Sequence, residues 1–162
     1  MLYKNTLNVI LPMLLLWLTF TSGLSHANTY TVDDILALEE APAGVVFEVV
    51  SADENYLQTA LQDFENHRKK LVEQFPEIKL VIVAHGSEQF ALTTANQQSQ
   101  SAAHSLVQRL TGDEEVPVHV CGGHASWRGL SAEDFPDYVT VSKSGPGAIR
   151  DFQDQGYLLV ML

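Results

Sequence analysis

The chain has 162 residues, which is enough for one domain with its own hydrophobic core. It carries 9 basic residues (lysine and arginine) against 20 acidic ones (aspartate and glutamate), for a net charge of −11. Such an acidic surface repels nucleic acid and anionic lipid, so neither is expected as a partner. The sequence has no repeat and no low-complexity tract, which favours an ordinary globular fold.

Residues 1–27 have the pattern of a secretory signal peptide. Lys4 supplies a positive charge, residues 9–20 are almost entirely apolar, and Ser25 and Ala27 place small residues at the −3 and −1 positions of a cleavage site. The apolar run is short for a membrane span, which needs about 20 residues. We therefore expect cleavage, a periplasmic or secreted protein, and no stable membrane span afterwards. An uncleaved N-terminal anchor is the alternative.

The remainder divides into an acidic lead-in, residues 28–44, and one domain, residues 45–162. In the lead-in, Thr31 and Asp34 have the spacing of a capping box at the start of a short helix. Beyond it, strand and helix patterns alternate. The predicted strands are residues 45–50, 78–84, 116–121, 138–141 and 157–161, and the predicted helices are residues 53–75, 96–110, 125–130 and a last one that Ser144 caps.

The strand over residues 78–84 is nearly continuous in apolar residues, which is typical of a parallel strand that is buried on both faces. Helices between such strands carry apolar stripes with three- and four-residue spacing, most clearly over residues 53–75. This alternation predicts an α/β fold: a three-layer sandwich with a mostly parallel five-stranded sheet between helices.

The carboxyl ends of parallel strands share one edge of the sheet, and this edge is where such folds place their ligands. His85, Cys121 and residues 142–147 fall there. Cys121 is the only cysteine of the chain, and two glycines and a helical segment follow it. Backbone amides at the start of a helix favour a thiolate over a thiol.

A single cysteine in an exported protein has no intramolecular partner, which indicates a free reactive thiol or an intermolecular disulfide. The alternative is that Cys121 is a small buried hydrophobic residue. Three residues are possible helpers of a reactive Cys121: His124 as a source of a proton or positive charge, Arg128 as a positive charge if it turns back, and His85 at the neighbouring strand end. His85 also fits a structural role in holding a loop.

Metal and cofactor patterns are incomplete. Cys121 and His124 have the spacing of half a zinc site, and no second half is present. The glycine-rich residues 144–147 lack the lysine and the spacing of a phosphate-binding loop and fit a helix cap instead. We therefore expect no metal ion and no other cofactor.

The motifs together resemble the DsrE/DsrF-like family of small sulfur-handling proteins. The similar segments are His85-Gly86 at a strand end, residues 118–122 with Arg128-Gly129-Leu130 after them, and residues 139–145 continuing through Ile149 to Gln155-Gly156-Tyr157. They extend over residues 44–162, almost the whole chain after the signal peptide. The resemblance implies a DsrE-like three-layer α/β fold and assembly into a homo-oligomer, a trimer or a hexamer.

In the sulfur-relay members of that family, the cysteine that matches Cys121 carries sulfur as a persulfide. The resemblance therefore implies a sulfur carrier or sulfurtransferase-like protein that exchanges sulfur with a donor or acceptor protein. Family members differ in whether this cysteine is used. The alternative function is a non-enzymatic oligomeric binding or assembly module on the same fold, and the residues leave open whether the protein is an enzyme.

Overall fold

The computed structural model describes residues 28–162, and the predicted signal peptide lies outside the described residues. Five strands are present: β1 (Gly44–Val49), β2 (Leu80–Ala84), β3 (Val118–Cys121), β4 (Thr140–Ser142) and β5 (Tyr157–Met161). The α-helices are α1 (Val32–Leu36), α2 (Tyr56–Gln74), α3 (Ser101–Gly112), α4 (Gly122–Trp127) and α5 (Gly145–Asp154). Short 3-10 helices cover Ser87–Leu92, Thr94–Asn96 and Ala132–Asp134.

The five strands form one sheet in the order β4-β3-β2-β1-β5, and every neighbouring pair is parallel. The predicted fold class is therefore confirmed. Because all strands run the same way, their carboxyl ends lie along one edge. Ala84, Cys121 and Ser142 end adjacent strands on that edge.

Successive residues of β1 pack on opposite faces of the sheet. Val45, Phe47 and Val49 belong to the large core that α1, α2 and α3 cover. Val46 belongs to a second, smaller cluster on the other face, where Ile149 of α5 packs. Helices thus cover both faces, and the molecule has three layers.

Some boundaries differ from the prediction. Helix α4 starts at Gly122, three residues before the predicted start, because Cys121 itself caps it. Helix α3 starts at Ser101 rather than at residue 96, since a separate 3-10 helix precedes it. The segment Ser87–Leu92, which lies between the predicted strand 78–84 and the predicted helix 96–110, forms a largely buried 3-10 helix. The predicted capping box of Thr31 and Asp34 is present.

The start of the lead-in extends the sheet at the β5 edge. Thr29 forms a parallel bridge with Leu159, and the amide of Tyr30 donates to the carbonyl of Leu159 at 2.8 Å.

Over residues 28–162, no helix combines the length and apolar character that crossing a membrane requires.

Candidate functional site

The chain's single thiol lies at the junction of β3 and α4. Cys121 is both the last residue of β3 and the N-cap of α4, and its Sγ accepts a hydrogen bond of 3.4 Å from the amide of His124. Only 7% of the residue is exposed. The sulfur therefore takes the place of the side-chain oxygen that usually caps a helix. It faces the partial positive charge on the amide hydrogen of His124.

The two glycines after the thiol allow α4 to begin against β4. A Cβ on Gly122 would lie 3.1 Å from the carbonyl oxygen of Ser142, and one on Gly123 would lie 3.3 Å from that of Lys143. The amide of Gly123 donates to the carbonyl of Lys143 at 3.2 Å. Side chains at these positions would crowd the β4 backbone, so glycine permits the tight strand-to-helix turn.

His124 connects the thiol to the end of β2. Besides its amide contact with Sγ, its ring Nδ1 lies 3.0 Å from the carbonyl oxygen of His85. A carbonyl only accepts, so Nδ1 carries a hydrogen, and in the neutral ring Nε2 is then the unprotonated nitrogen. The ring packs edge-on against Phe90 and beside Trp127, which is 85% exposed.

His85 is held by a carboxylate on the neighbouring strand. Its Nε2 lies 2.6 Å from Oε1 of Glu48, and both side chains are largely buried. Gly145, the first residue of α5, packs directly on the His85 side chain. The His85 side chain therefore joins β1, β2 and α5, while its carbonyl positions the His124 ring.

Two fully buried polar residues follow His85, and the sequence reasoning missed both. Glu88 accepts hydrogen bonds from the amides of Ser51 (2.7 Å) and Gly86 (2.8 Å). Gln89 accepts a hydrogen bond of 2.7 Å from the amide of Cys121. Nothing in a Ser-Glu-Gln run signals burial, since such residues are mostly exposed.

His119 lies on the same sheet face as the second cluster. Its Nδ1 is 2.8 Å from Oγ of Ser142, and its ring packs edge-on against Phe152. Burial lowers the pKa of His119 below its ordinary range. His119 is therefore a sheet-face residue of β3, two residues before Cys121.

Arg128 directs its guanidinium towards Glu54, Ser87 and Phe90. It pairs with Glu54, donates to Oγ of Ser87 at 3.2 Å and stacks over Phe90, 4.0 Å from the ring centre. A cavity of about 410 Å³ lies beside these groups, and Cys121 does not line it. The structure thus brings His124 and His85 together at the thiol-bearing strand end and gives Arg128 other partners.

Within residues 28–162, no group of three or more histidine, cysteine, aspartate or glutamate side chains is arranged to hold a metal ion. The candidate site consists of a thiol, a helix-start amide and two histidines. These groups can support nucleophilic sulfur chemistry at Sγ.

The fold and the site define a small three-layer α/β protein with one thiol at the carboxyl edge of a parallel sheet. The profile of the DsrE/DsrF-like family matches residues 45–161. The chain therefore belongs to the DsrE/DsrF-like family, and the predicted resemblance is confirmed. Membership indicates a sulfur-relay type of fold.

Solved structures show the same fold. The protein of unknown function MTH1491 from Methanobacterium thermoautotrophicum is 20% identical, with a TM-score of 0.57 over 73% of this chain and 97% of that one. The ychN protein from E. coli is 16% identical, with a TM-score of 0.54 over 74% and 99%. No curated protein matches the chain.

Proposed function

We propose that this protein is an exported sulfur carrier in which Cys121 holds a sulfane sulfur as a persulfide and passes it to an acceptor. The observation that carries the proposal is the capping geometry of Cys121, whose Sγ accepts the amide hydrogen of His124 at the edge of the sheet. An amide that donates to sulfur stabilises an anionic sulfur more than a neutral one. Family membership supports the same sulfur-relay theme.

The reaction needs no external oxidant. The Cys121 thiolate attacks a sulfane sulfur of a donor such as an inorganic polysulfide, the new S–S bond forms at Sγ, and the S–S bond of the donor breaks. The electron pair leaves with the departing sulfur, which is released as hydrosulfide or a shorter polysulfide. An acceptor thiolate then attacks the outer sulfur, takes it as its own persulfide and regenerates the Cys121 thiolate.

His124 is proposed to assist through its backbone amide, which donates to Sγ, while the His85 carbonyl holds its ring beside the site. His85 would position this ring through its carbonyl and would not itself move a proton. Arg128, held by Glu54 and Ser87, would act only through the shape and charge of the α4 surface.

The low exposure of Cys121 favours small donors over bulky ones. With 7% of the residue accessible, an inorganic polysulfide reaches the sulfur more easily than a peptide-sized trisulfide. We also propose, from the family resemblance, that the mature chain, which begins at residue 28, forms a trimer or hexamer after export. A partner protein would then supply or accept the sulfur.

The same burial supports a second candidate function. A cysteine this enclosed can act as a packing residue, and the protein would then be a non-enzymatic oligomeric binding or assembly module. In that case a Cys121→Ser variant would keep the wild-type oligomeric state, measured by light scattering, and cells that carry it would behave like wild-type cells. The sulfur-carrier proposal expects the same oligomeric state, but cells that carry the variant would behave like cells that lack the protein.

The deciding experiment is intact-mass spectrometry of the purified protein after incubation with sodium tetrasulfide. We expect a mass increase of one sulfur atom, removed by dithiothreitol and absent from Cys121→Ser. Transfer of the sulfur to a small acceptor thiol should restore the starting mass. A wild-type chain that stays unmodified in tetrasulfide, while the denatured chain reacts, would contradict the proposal.

A further inference from the structure

Gln89 completes the hydrogen bonding of the strand that carries the thiol. The pairing of β2 with β3 ends at Ala84 and Val120, one residue before Cys121. The amide of Cys121 instead donates to Oε1 of Gln89 at 2.7 Å. A side chain therefore supplies the acceptor where the β2 backbone has turned away.

This contact fixes the orientation of the Gln89 amide group. A backbone N–H needs an acceptor, so the atom that faces Cys121 is Oε1, and Nε2 is the other end of the same group. Gln89 is fully buried, and Nε2 has no acceptor among the described residues. Leaving a buried donor without a partner is costly, and such groups are rare in folded proteins.

We infer that Nε2 of Gln89 donates a hydrogen bond to the outer sulfur of the Cys121 persulfide. The inference rests on the proposed function and adds the group that binds the transferred atom. Sγ already accepts the amide of His124, whereas the added sulfur has no donor of its own until it meets another group. The amide of Gln89, which already contacts the Cys121 backbone, offers an unused N–H.

A donor at this point has a chemical consequence. The outer sulfur of a persulfide is mostly anionic near neutral pH, and a hydrogen bond to an anion in a buried site is stronger than one in water. Gln89 would thus favour the loaded form over the free thiol. It would select anionic sulfur species as the ligand class of the site.

Variants of Gln89 separate this role from a structural one. Gln89→Glu keeps an oxygen for the Cys121 amide but replaces the donor with a charged oxygen, and Gln98→Glu adds the same charge at an exposed position as the control. At pH 8 we expect Gln89→Glu to hold about tenfold less persulfide than wild type at equilibrium with a polysulfide–hydrosulfide mixture. Alkylation of the free thiol by neutral iodoacetamide is compared at the high-pH plateau, where the thiol is fully ionised in both chains, and the plateau rates should differ by less than about twofold. Gln98→Glu should match wild type in both measurements.

A spectroscopic measurement on the wild-type chain remains informative if Gln89→Glu does not fold. The side-chain amide signals of Gln89 in a ¹⁵N-edited NMR spectrum should shift when Cys121 is persulfidated, while those of Gln98 stay in place. Unmoved Gln89 signals on a fully persulfidated chain, or equal persulfide levels in wild type and folded Gln89→Glu, would overturn the inference and leave the sulfur-carrier proposal intact. A Cys121 that takes no sulfur would overturn both.

Discussion

Gly145 lies so close to His85 that the histidine occupies the space where a side chain at position 145 would lie. A Cβ built on Gly145 would overlap the Cβ of His85 and lie 2.9 Å from its Cγ. Helix α5 begins at this glycine, and Ser144 caps it by accepting the amide of Gly147. The start of α5 is therefore seated on the end of β2, beside the candidate site.

Gly145→Ala should consequently destabilise the protein. The added methyl group must displace either His85, which is held by Glu48, or the first turn of α5, and overpacking of this kind costs about 1–3 kcal/mol. Gly112→Ala is the matched control, because nothing lies within 4 Å of its Cβ position at the end of α3. It should leave stability unchanged or raise it by up to about 1 kcal/mol. Urea denaturation measures both, and equal midpoints for the two variants would contradict the packing argument.

Glu88→Gln should be among the most damaging single-atom changes in the chain. Both carboxylate oxygens of Glu88 accept backbone amides, and a glutamine would turn one acceptor into a donor that faces another donor. The loss of a buried hydrogen bond to a charged group, with an unsatisfied amide left behind, costs about 2–4 kcal/mol. Glu73→Gln makes the same change on the exposed side of α2 and should alter the free energy of unfolding by less than about 0.5 kcal/mol.

The fold was predictable because its signals are local. Apolar runs such as residues 78–84 and helical stripes such as that of residues 53–75 need no knowledge of distant residues, and their alternation specifies a parallel sheet between helices. The position of Cys121 at the carboxyl edge follows from the same alternation. The early start of α4 was not predictable, since two glycines ordinarily weaken a helix and a cysteine is an unusual cap.

The polar groups that hold the site depend on contacts between distant parts of the chain. Glu88 bonds Ser51, 37 residues away, and Gln89 bonds Cys121, 32 residues away. These contacts exist only once the 3-10 helix Ser87–Leu92 is buried beneath the strand ends, and a polar Ser-Glu-Gln run predicts an exposed loop instead. Among the polar residues that hold the site, Glu48 alone stands out in the sequence, as a charged residue inside an apolar strand. The sequence does not identify His85 as its partner.

Cleavage of the N-terminal segment is predicted to follow Ala27. When the full chain is expressed in a bacterium with a secretion system, the recovered periplasmic protein should begin at Asn28, as read by N-terminal mass spectrometry. Ala27→Leu places a bulky residue at the −1 position and should leave the precursor uncut. His26→Leu introduces the same residue at −2, where large side chains are tolerated, and should be processed normally. A wild-type protein that retains residues 1–27 would favour the uncleaved anchor.

Stability should fall as the pH drops below the ordinary histidine value of 6.5, because burial lowers the pKa of both His104 and His119 below it. A group whose pKa is lower in the folded state than in the unfolded state binds its proton more tightly after unfolding, so its contribution is complete above pH 6.5 and is lost on acidification. Burial is the larger effect at His104, whereas the hydrogen bond from Nε2 to the carbonyl of Ala91 acts in the opposite direction and favours the charged ring. We expect a lower urea midpoint at pH 5.5 than at pH 7.5. In His119→Gln the difference should shrink, because the side chain no longer titrates, and an unchanged difference would assign the pH dependence to other groups.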